Sequence, residues 1–352
     1  MKKLALVIAS IPFFASAGLF QITCTNGTGL GVCAVEGQNI MNQIADEVNK
    51  KLPSADTKDQ YLQGMSTAAA MSAAGVTTSY GTVFNHFLIG LTASGAADLG
   101  NRNFTDFSGL TKNPEQFRGF GLQAAIVAGV NLGNLIGSEG GVFDLSRLDL
   151  YASGFALNHK FGKVNADYLG FGFGGQYKLL RGTKWTPLIR WTGLDVGANI
   201  LYSKLKIDAD VPLDNTYTTT NTGVTYTTNY SGSANFKADI GTIALPIDVS
   251  TGIRFFYFLK VVGGVGLDFN LGNLKASGDI SNTTVSASDG GANTVNGDAT
   301  FDINGTSIPK LVNARVFLGP NFEFGIGSFF VTLQKSLLEN AIAVNSGLNF
   351  FW

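Results

Sequence analysis

The chain ends with IAVNSGLNFFW, residues 342–352, and this stretch decides the fold. At a period of two residues, one of its faces carries Ile342, Val344, Ser346, Leu348, Phe350 and Trp352, and the other carries Ala343, Asn345, Gly347, Asn349 and Phe351. Apolar side chains on one face and small or polar ones on the other are typical of a half-buried β-strand. At the frayed end of a soluble protein these aromatic rings would be a liability, whereas a transmembrane β-barrel would place the apolar face against lipid.

This ending resembles the closing strand of Gram-negative outer-membrane β-barrel proteins, which alternates in the same way and finishes on an aromatic residue. The resemblance implies that Leu348, Phe350 and Trp352 form the signal that the outer-membrane assembly machinery recognises. It also implies that the lipid bilayer is the main partner of the folded chain, with the terminal aromatic at the membrane–water boundary.

The other end of the chain has the features of an export signal. Lys2 and Lys3 precede an apolar run over residues 4–14, and Ala15-Ser16-Ala17 follows. This pattern predicts a signal peptide over residues 1–17 that is cleaved near Ala17. The apolar run is too short to cross a bilayer as a helix. We therefore expect export, with the bacterial outer membrane as the destination.

Composition agrees with a membrane barrel. Charged residues make up 14% of the 352 residues, against about 25% in an average soluble domain. No segment after the signal approaches 18 consecutive apolar residues, the length that a spanning helix needs. A closed β-barrel is the other structure that a bilayer tolerates. The net charge of −1 argues against a nucleic-acid partner.

Alternating segments predict an all-β transmembrane antiparallel β-barrel of about ten strands, in a range of roughly 8 to 14, over residues 79–352. The clearest segments are 120–132, 169–179, 194–202, 243–257, 261–271 and the closing strand, and weaker ones are 80–95, 145–160, 308–319 and 327–336. Pro246 predicts a bulge or a break in its strand. The long polar segments 209–233 and 279–308 are predicted as extracellular loops, in which Thr and Tyr can form β extensions above the membrane. The short links 181–186 and 256–260 are predicted on the periplasmic side.

Residues 18–78 are predicted as a separate N-terminal segment, with a disulfide loop and a short helical part. Cys24 and Cys33 are the only cysteines and would pair in an oxidising compartment. Apolar periodicity predicts helices that end near Leu52 and Ala74. Three roles stay open for this segment: plugging the lumen, packing under the periplasmic mouth, or docking on a partner.

Polar residues on the faces opposite the lipid stripes are candidates for the barrel interior. The predicted lumen-lining residues are Asp195, Asn199, Asp248, Arg254, Asp268, Asn270 and Arg315. They would either pair into a structural interior or line a narrow path for solutes. The histidines, His86 and His159, stand in no catalytic motif, and neither an enzyme, a cofactor nor a metal site is predicted.

Two functions are in play. The first is a narrow channel or passive transporter for small solutes, including hydrophobic ones, and its architecture is loosely similar to that of the fatty-acid transporter group. The second is a surface-exposed adhesin or ligand-binding barrel that acts on a host surface ligand through 209–233 and 279–308. A protein of this second kind would be similar to the adhesin barrels of pathogenic bacteria, including spirochaetes. Fold alone does not choose between them.

Overall fold

The computed structural model describes most of the chain, with gaps. The described residues are 20–28, 38–43, 45–46, 58–76, 86–100, 118–136, 144–161, 164–212, 215–221, 224–288, 294–301 and 305–352. The predicted signal peptide and Cys33 lie outside them. Within them, no helix combines the length and the apolar character needed to cross a membrane.

Ten antiparallel strands close into a ring, as the alternation predicted. They are β2 (Phe87–Asp98), β3 (Gly119–Asn131), β4 (Leu148–Phe161), β5 (Val164–Arg181), β6 (Ile189–Pro212), β8 (Val224–Phe255), β9 (Leu259–Ser288), β12 (Val312–Phe324), β13 (Gly327–Ser336) and β14 (Ala341–Phe351). Each pairs with the next in this order, and β14 returns to pair with β2 along its whole length. The chain therefore forms a transmembrane antiparallel β-barrel with a short N-terminal helical segment.

The remaining elements are short or lie outside the ring. They are β1 (Phe20–Thr28), α1 (Lys58–Val76), α2 (Leu132–Ile136), a 3₁₀ turn (Leu145–Arg147), β7 (Asn215–Asn221), β10 (Thr294–Phe301) and β11 (Gly305–Ser307). Described residues 38–43 and 45–46 are also helical. The helix that was predicted to end near Ala74 is α1, which ends at Val76.

Alternation along the strands divides the barrel wall into two faces. The outward side chains are large and apolar, and Leu122, Phe171 and Val265 are each more than half exposed. On the opposite, inward face of the same strand, β9, Asp268 is 1% exposed. A belt of exposed apolar side chains around a closed sheet is what lipid contact requires.

The two ends of the barrel differ. We call the end that carries Trp352 the turn end; there β8 and β9 are joined by residues 256–258, and β12 and β13 by residues 325–326. We call the opposite end the hairpin end. There β8, with 32 residues, and β9, with 30 residues, run far beyond the roughly 10 residues that cross a membrane.

Segments 209–233 and 279–308 emerge at the same end of the barrel, as expected, and they extend the strands there. Most of their residues form strands: β7 pairs with the start of β8, and β10 pairs with the end of β9. The start of β8 also pairs with the end of β9, which joins the two hairpins. Thr, Tyr and Val favour extended backbone, and neighbouring hairpins satisfy each other's backbone groups.

Pro246 neither breaks nor bulges its strand, contrary to expectation. β8 is continuous through it, and the pairing with β6 has the same register at Ala198–Ile247 and at Leu201–Ala244. The ladder to β6 has no pairs between these two positions, whereas Pro246 stays paired with Asp268 of β9. The missing N–H is therefore accommodated by a local gap in one ladder.

Candidate functional site

Helix α1 lies inside the barrel. Its residues 64–75 are all buried, and it contacts β14, β2 and β3 on one side of the ring and β6, β8 and β9 on the other. Its N-terminal half is near the hairpin end, where Leu62 and Met65 pack against Phe236 and Leu274. Its C-terminal half reaches the middle of the barrel, where Gly75 lies against Asn345. The helix therefore runs from the hairpin end down into the lumen.

Small side chains allow the helix to fit. Residues 66–75, STAAAMSAAG, include one large side chain, Met71, and a ten-stranded barrel leaves little interior space. Ser66 and Ser72 donate hydrogen bonds to backbone carbonyls three residues earlier, at 2.9 Å each, so their hydroxyls are satisfied within the helix. From the wall, Gln123 Nε2 donates to the Ala69 carbonyl at 3.1 Å. The plug is thus held by packing and by polar contacts.

The seven residues proposed for the lumen all lie on inward-facing positions. The exposed fractions are Asp195 3%, Asn199 6%, Asp248 3%, Asp268 1%, Asn270 5% and Arg315 0%, while the side chain of Arg254 is 24% exposed. They occupy β6, β8, β9 and β12, so they share one side of the wall. The structure divides their charges into two clusters and a separate pair.

The first cluster surrounds Arg315. Its Nε lies 2.8 Å from Asp268 Oδ1, and its Nη2 lies 3.6 Å from Asp248 Oδ2. Gly266 pairs with both Asp248 and Arg315, and a Cβ there would lie 3.0 Å from the Arg315 guanidinium carbon. Asn313 Nδ2 also donates to Asp268. The cluster binds β8, β9 and β12 together, as a structural interior would.

The second cluster is centred on Glu323, which the sequence analysis missed. Glu323 lies 2.5 Å from Arg254 Nη2 and 2.7 Å from Lys260 Nζ, and Lys260 is fully buried. Asp195 pairs separately with Lys178 at 3.4 Å. Arg254 thus pairs with none of the three predicted acids. Extending the alternation of β12 past residue 319 would have placed Glu323 on the inner face.

A cavity of about 690 Å³ opens at the turn end of the lumen. Among the described residues that line it, the basic ones are Arg147, Lys178, Arg181, Arg190 and Arg254, and the acidic ones are Asp149 and Glu323. At its rim, Asp144 accepts hydrogen bonds from Ser146, Arg147 and Arg181. The bond from Ser146 is the largest cause that lowers the pKa of Asp144, and the two arginines add to it, so this carboxylate stays ionised.

The link between β8 and β9 is strained beside this cavity. Phe256 and Tyr257 have φ values of 51° and 68°, a region that bulky side chains avoid. Such a position normally takes Gly, Asn or Asp, and it costs of order 1 kcal/mol or more for another residue. Tyr257 lines the cavity from this position. The strained link therefore holds an aromatic residue at the cavity.

The hairpin end carries a second candidate surface, which we call the extension sheet. It has the order β7-β8-β9-β10-β1, so the N-terminal strand pairs with a hairpin of the barrel. One face is covered: Ile22 is 3% exposed, and Met41, in the helical residues 38–43, lies close to Gly297 on this face. The other face is polar and open at Thr23, Asp298 and Thr227.

The predicted assembly residues lie on the outer face where the barrel closes. Leu348, Phe350 and Trp352 are 37%, 42% and 61% exposed. The Trp352 carbonyl accepts from His86 N at 3.0 Å and from Phe87 N at 3.1 Å. The last residue therefore joins the first barrel strand.

His86 and His159 are both exposed. The described residues contain no group of three or more His, Cys, Asp or Glu side chains that could hold a metal ion. Cys24 lies in β1, and its pairing with Cys33 stays a prediction because Cys33 is outside the described residues.

Comparison with known proteins gives one family and several barrels. The family model described as Lsa36-like matches residues 19–352, whereas no curated protein matches the chain. The CymD monoaromatic hydrocarbon channel is 9% identical, covering 82% of this chain and 97% of its own, with a TM-score of 0.23. The transport unit of the autotransporter AIDA-I from Escherichia coli is 9% identical, covering 83% of this chain and 99% of its own, with a TM-score of 0.28. Ail of Yersinia pestis is 9% identical, covering 76% of this chain and 97% of its own, with a TM-score of 0.22.

Proposed function

The chain belongs to the Lsa36-like family, and we propose that it is an outer-membrane β-barrel that displays a ligand-binding surface outside the cell. The observation that carries this proposal is the division of the molecule into a lumen occupied by α1 from its hairpin end to its middle and an extended sheet. Helix α1 occupies the lumen, while β7 to β10 and the N-terminal strand form a sheet beyond the membrane region. The working part of the protein is then the extension sheet, acting without catalysis.

Orientation follows from the closing strand. If the turn end faces the periplasm, as the aromatic-ended strand implies, the extension sheet faces the outside. The polar open face then meets a hydrophilic host surface ligand through residues such as Thr227 and Asp298, which are exposed. Strand β1 would lie outside as well, because it pairs with β10 in the extension sheet.

Deleting residues 215–230 tests the binding role. This deletion removes β7 and the part of β8 that pairs with it, and it leaves four residues between Pro212 and Ser233, which already pair. The intact protein, displayed on a non-adherent bacterium, should confer adherence to host-cell monolayers, and the deletion should abolish it. Asp298→Lys is a milder variant on the same face. Undiminished adherence of the deletion variant, with the barrel still folded, would refute the proposal.

A narrow path for small solutes is the second candidate, and the turn-end cavity of about 690 Å³ favours it. Planar-bilayer recordings of the full mature chain and of a form without residues 18–78 separate the two functions. Current through the full chain that responds to charge changes at Asp195 or Arg315 would support a solute path. Silence of both forms would exclude it.

A further inference from the structure

Four basic residues stand in one row across the wall at the turn end. These are backbone pairings: Lys184 forms an isolated β-bridge with Arg190, and Arg190 is directly opposite Arg254 of β8. Arg254 is in turn directly opposite Lys260 of β9. Residues directly opposite in an antiparallel pair have Cβ atoms about 5 Å apart and share one face of the sheet, and like charges there are destabilising. Such a row needs compensating negative charge.

The carboxylates nearby do not compensate the whole row. Glu323 holds Arg254 and Lys260, but Lys184 and Arg190 form no ion pair within the described part of the chain. The other acids at the cavity are engaged elsewhere: Asp144 accepts from Arg147 and Arg181, and Asp149 accepts from Asn131 at 2.8 Å. Arg190 therefore brings an unbalanced positive charge to the cavity.

We propose that the turn-end cavity binds a phosphate-bearing ligand between Arg190 and Arg254. Guanidinium groups offer paired N–H donors that fit phosphate oxygens, and two of them can bracket a tetrahedral dianion. A volume of about 690 Å³ is ordinary for a small-molecule site. Tyr257 also lines the cavity, and a tyrosine side chain can donate a hydrogen bond to phosphate. The site is separate from the extension sheet and lies at the other end of the barrel.

Titration calorimetry of the full mature protein in zwitterionic detergent tests the site. Inorganic phosphate is the probe, with sodium chloride at matched ionic strength as the reference. We expect saturable binding of phosphate that Arg190→Gln weakens at least about tenfold, since it removes a charge-assisted contact. Arg190→Lys keeps the charge without the paired donors, so its affinity for phosphate should lie between those of the unaltered protein and Arg190→Gln. Arg190 is exposed at the barrel mouth, so these variants should fold, and heat-modifiable migration verifies it.

Lys237→Gln is the matched control. It also removes one exposed positive charge, but on β8 at the hairpin end, and it should leave phosphate binding unchanged. Displacement of phosphate by short-chain phosphatidylglycerol, but not by phosphatidylcholine, would identify a lipid head group as the ligand; no displacement by either would identify a soluble phosphate compound. Heats of phosphate addition equal to those of chloride would overturn the site. So would an equal loss in Lys237→Gln, because net charge alone would then explain binding.

Discussion

Gly121 of β3 and Ala68 of α1 meet backbone to backbone inside the barrel. A Cβ at Gly121 would lie 2.4 Å from the Ala68 carbonyl oxygen, a distance that real Cβ atoms do not show. The helix is therefore seated against a wall position that only glycine can occupy without moving it.

Gly121→Ala should loosen the plug. Since the clash is with backbone, α1 must shift, and we expect the free energy of unfolding in detergent to fall by about 1–3 kcal/mol. Brief current steps should appear in planar bilayers if the displaced helix opens the lumen. Gly154→Ala is the control, because a Cβ there has its nearest neighbour at 3.8 Å. Equal stability of both variants would contradict the tight seating.

Neutralising one partner of the Arg315 cluster should be costly. Asp268→Asn leaves the fully buried guanidinium of Arg315 without its nearest carboxylate, and removing one partner of a buried pair costs about 3–5 kcal/mol. Lys310→Gln breaks an ion pair that is partly exposed and should cost less than about 1 kcal/mol. Urea unfolding of both variants measures the difference. A small loss for Asp268→Asn, with altered ion selectivity, would instead indicate a hydrated path.

Removing Trp352 should block barrel assembly without blocking secretion. The Trp352 carbonyl accepts two backbone hydrogen bonds from His86 and Phe87, and the ring lies 6.0 Å from that of Phe87. Replacing Phe350 and Trp352 by serine should act in the same way, because the outer face loses two aromatics. Heat-modifiable migration in an outer-membrane fraction reports assembly, and normal migration of either variant would be the contrary result.

Charge on the outer face should be destabilising. Val265 is 55% exposed on β9 amid other apolar side chains, and Val265→Arg should cost about 2–4 kcal/mol if the site lies near the midplane. Val265→Leu is the control and should be close to neutral. Asn199, by contrast, is buried at 6% exposure, so arginine there would be opposed by crowding rather than by lipid. Free energies of unfolding in lipid vesicles test the assignment of faces.

The sequence by itself determined the barrel, a count of about ten strands and the two faces of its wall. Successive side chains of a strand point to opposite faces, and in a membrane barrel one of these faces meets lipid. Both rules apply to each residue separately, so the alternation along β3, β6 or β14 follows from the local sequence. The inward position of Asp268 and the outward position of Val265 followed from the same rule. Pro246 was misjudged because β9 keeps it paired, and segments 209–233 and 279–308 form strands because the two hairpins satisfy each other's backbone groups.

Only the tertiary structure decided what fills the barrel and which groups pair. The periodicity of α1 predicts a helix but not that the helix lies inside the barrel. The reason for its small side chains appears only from its close contact with Gly121. Arg254 pairs with Glu323, 69 positions away, and Thr25 of β1 donates to the Asn296 carbonyl, 271 positions away. Contacts at such separations are set by which strands lie side by side: β8 and β12 both flank β9 in the barrel wall, and β1 pairs with β10 at the edge of the extension sheet.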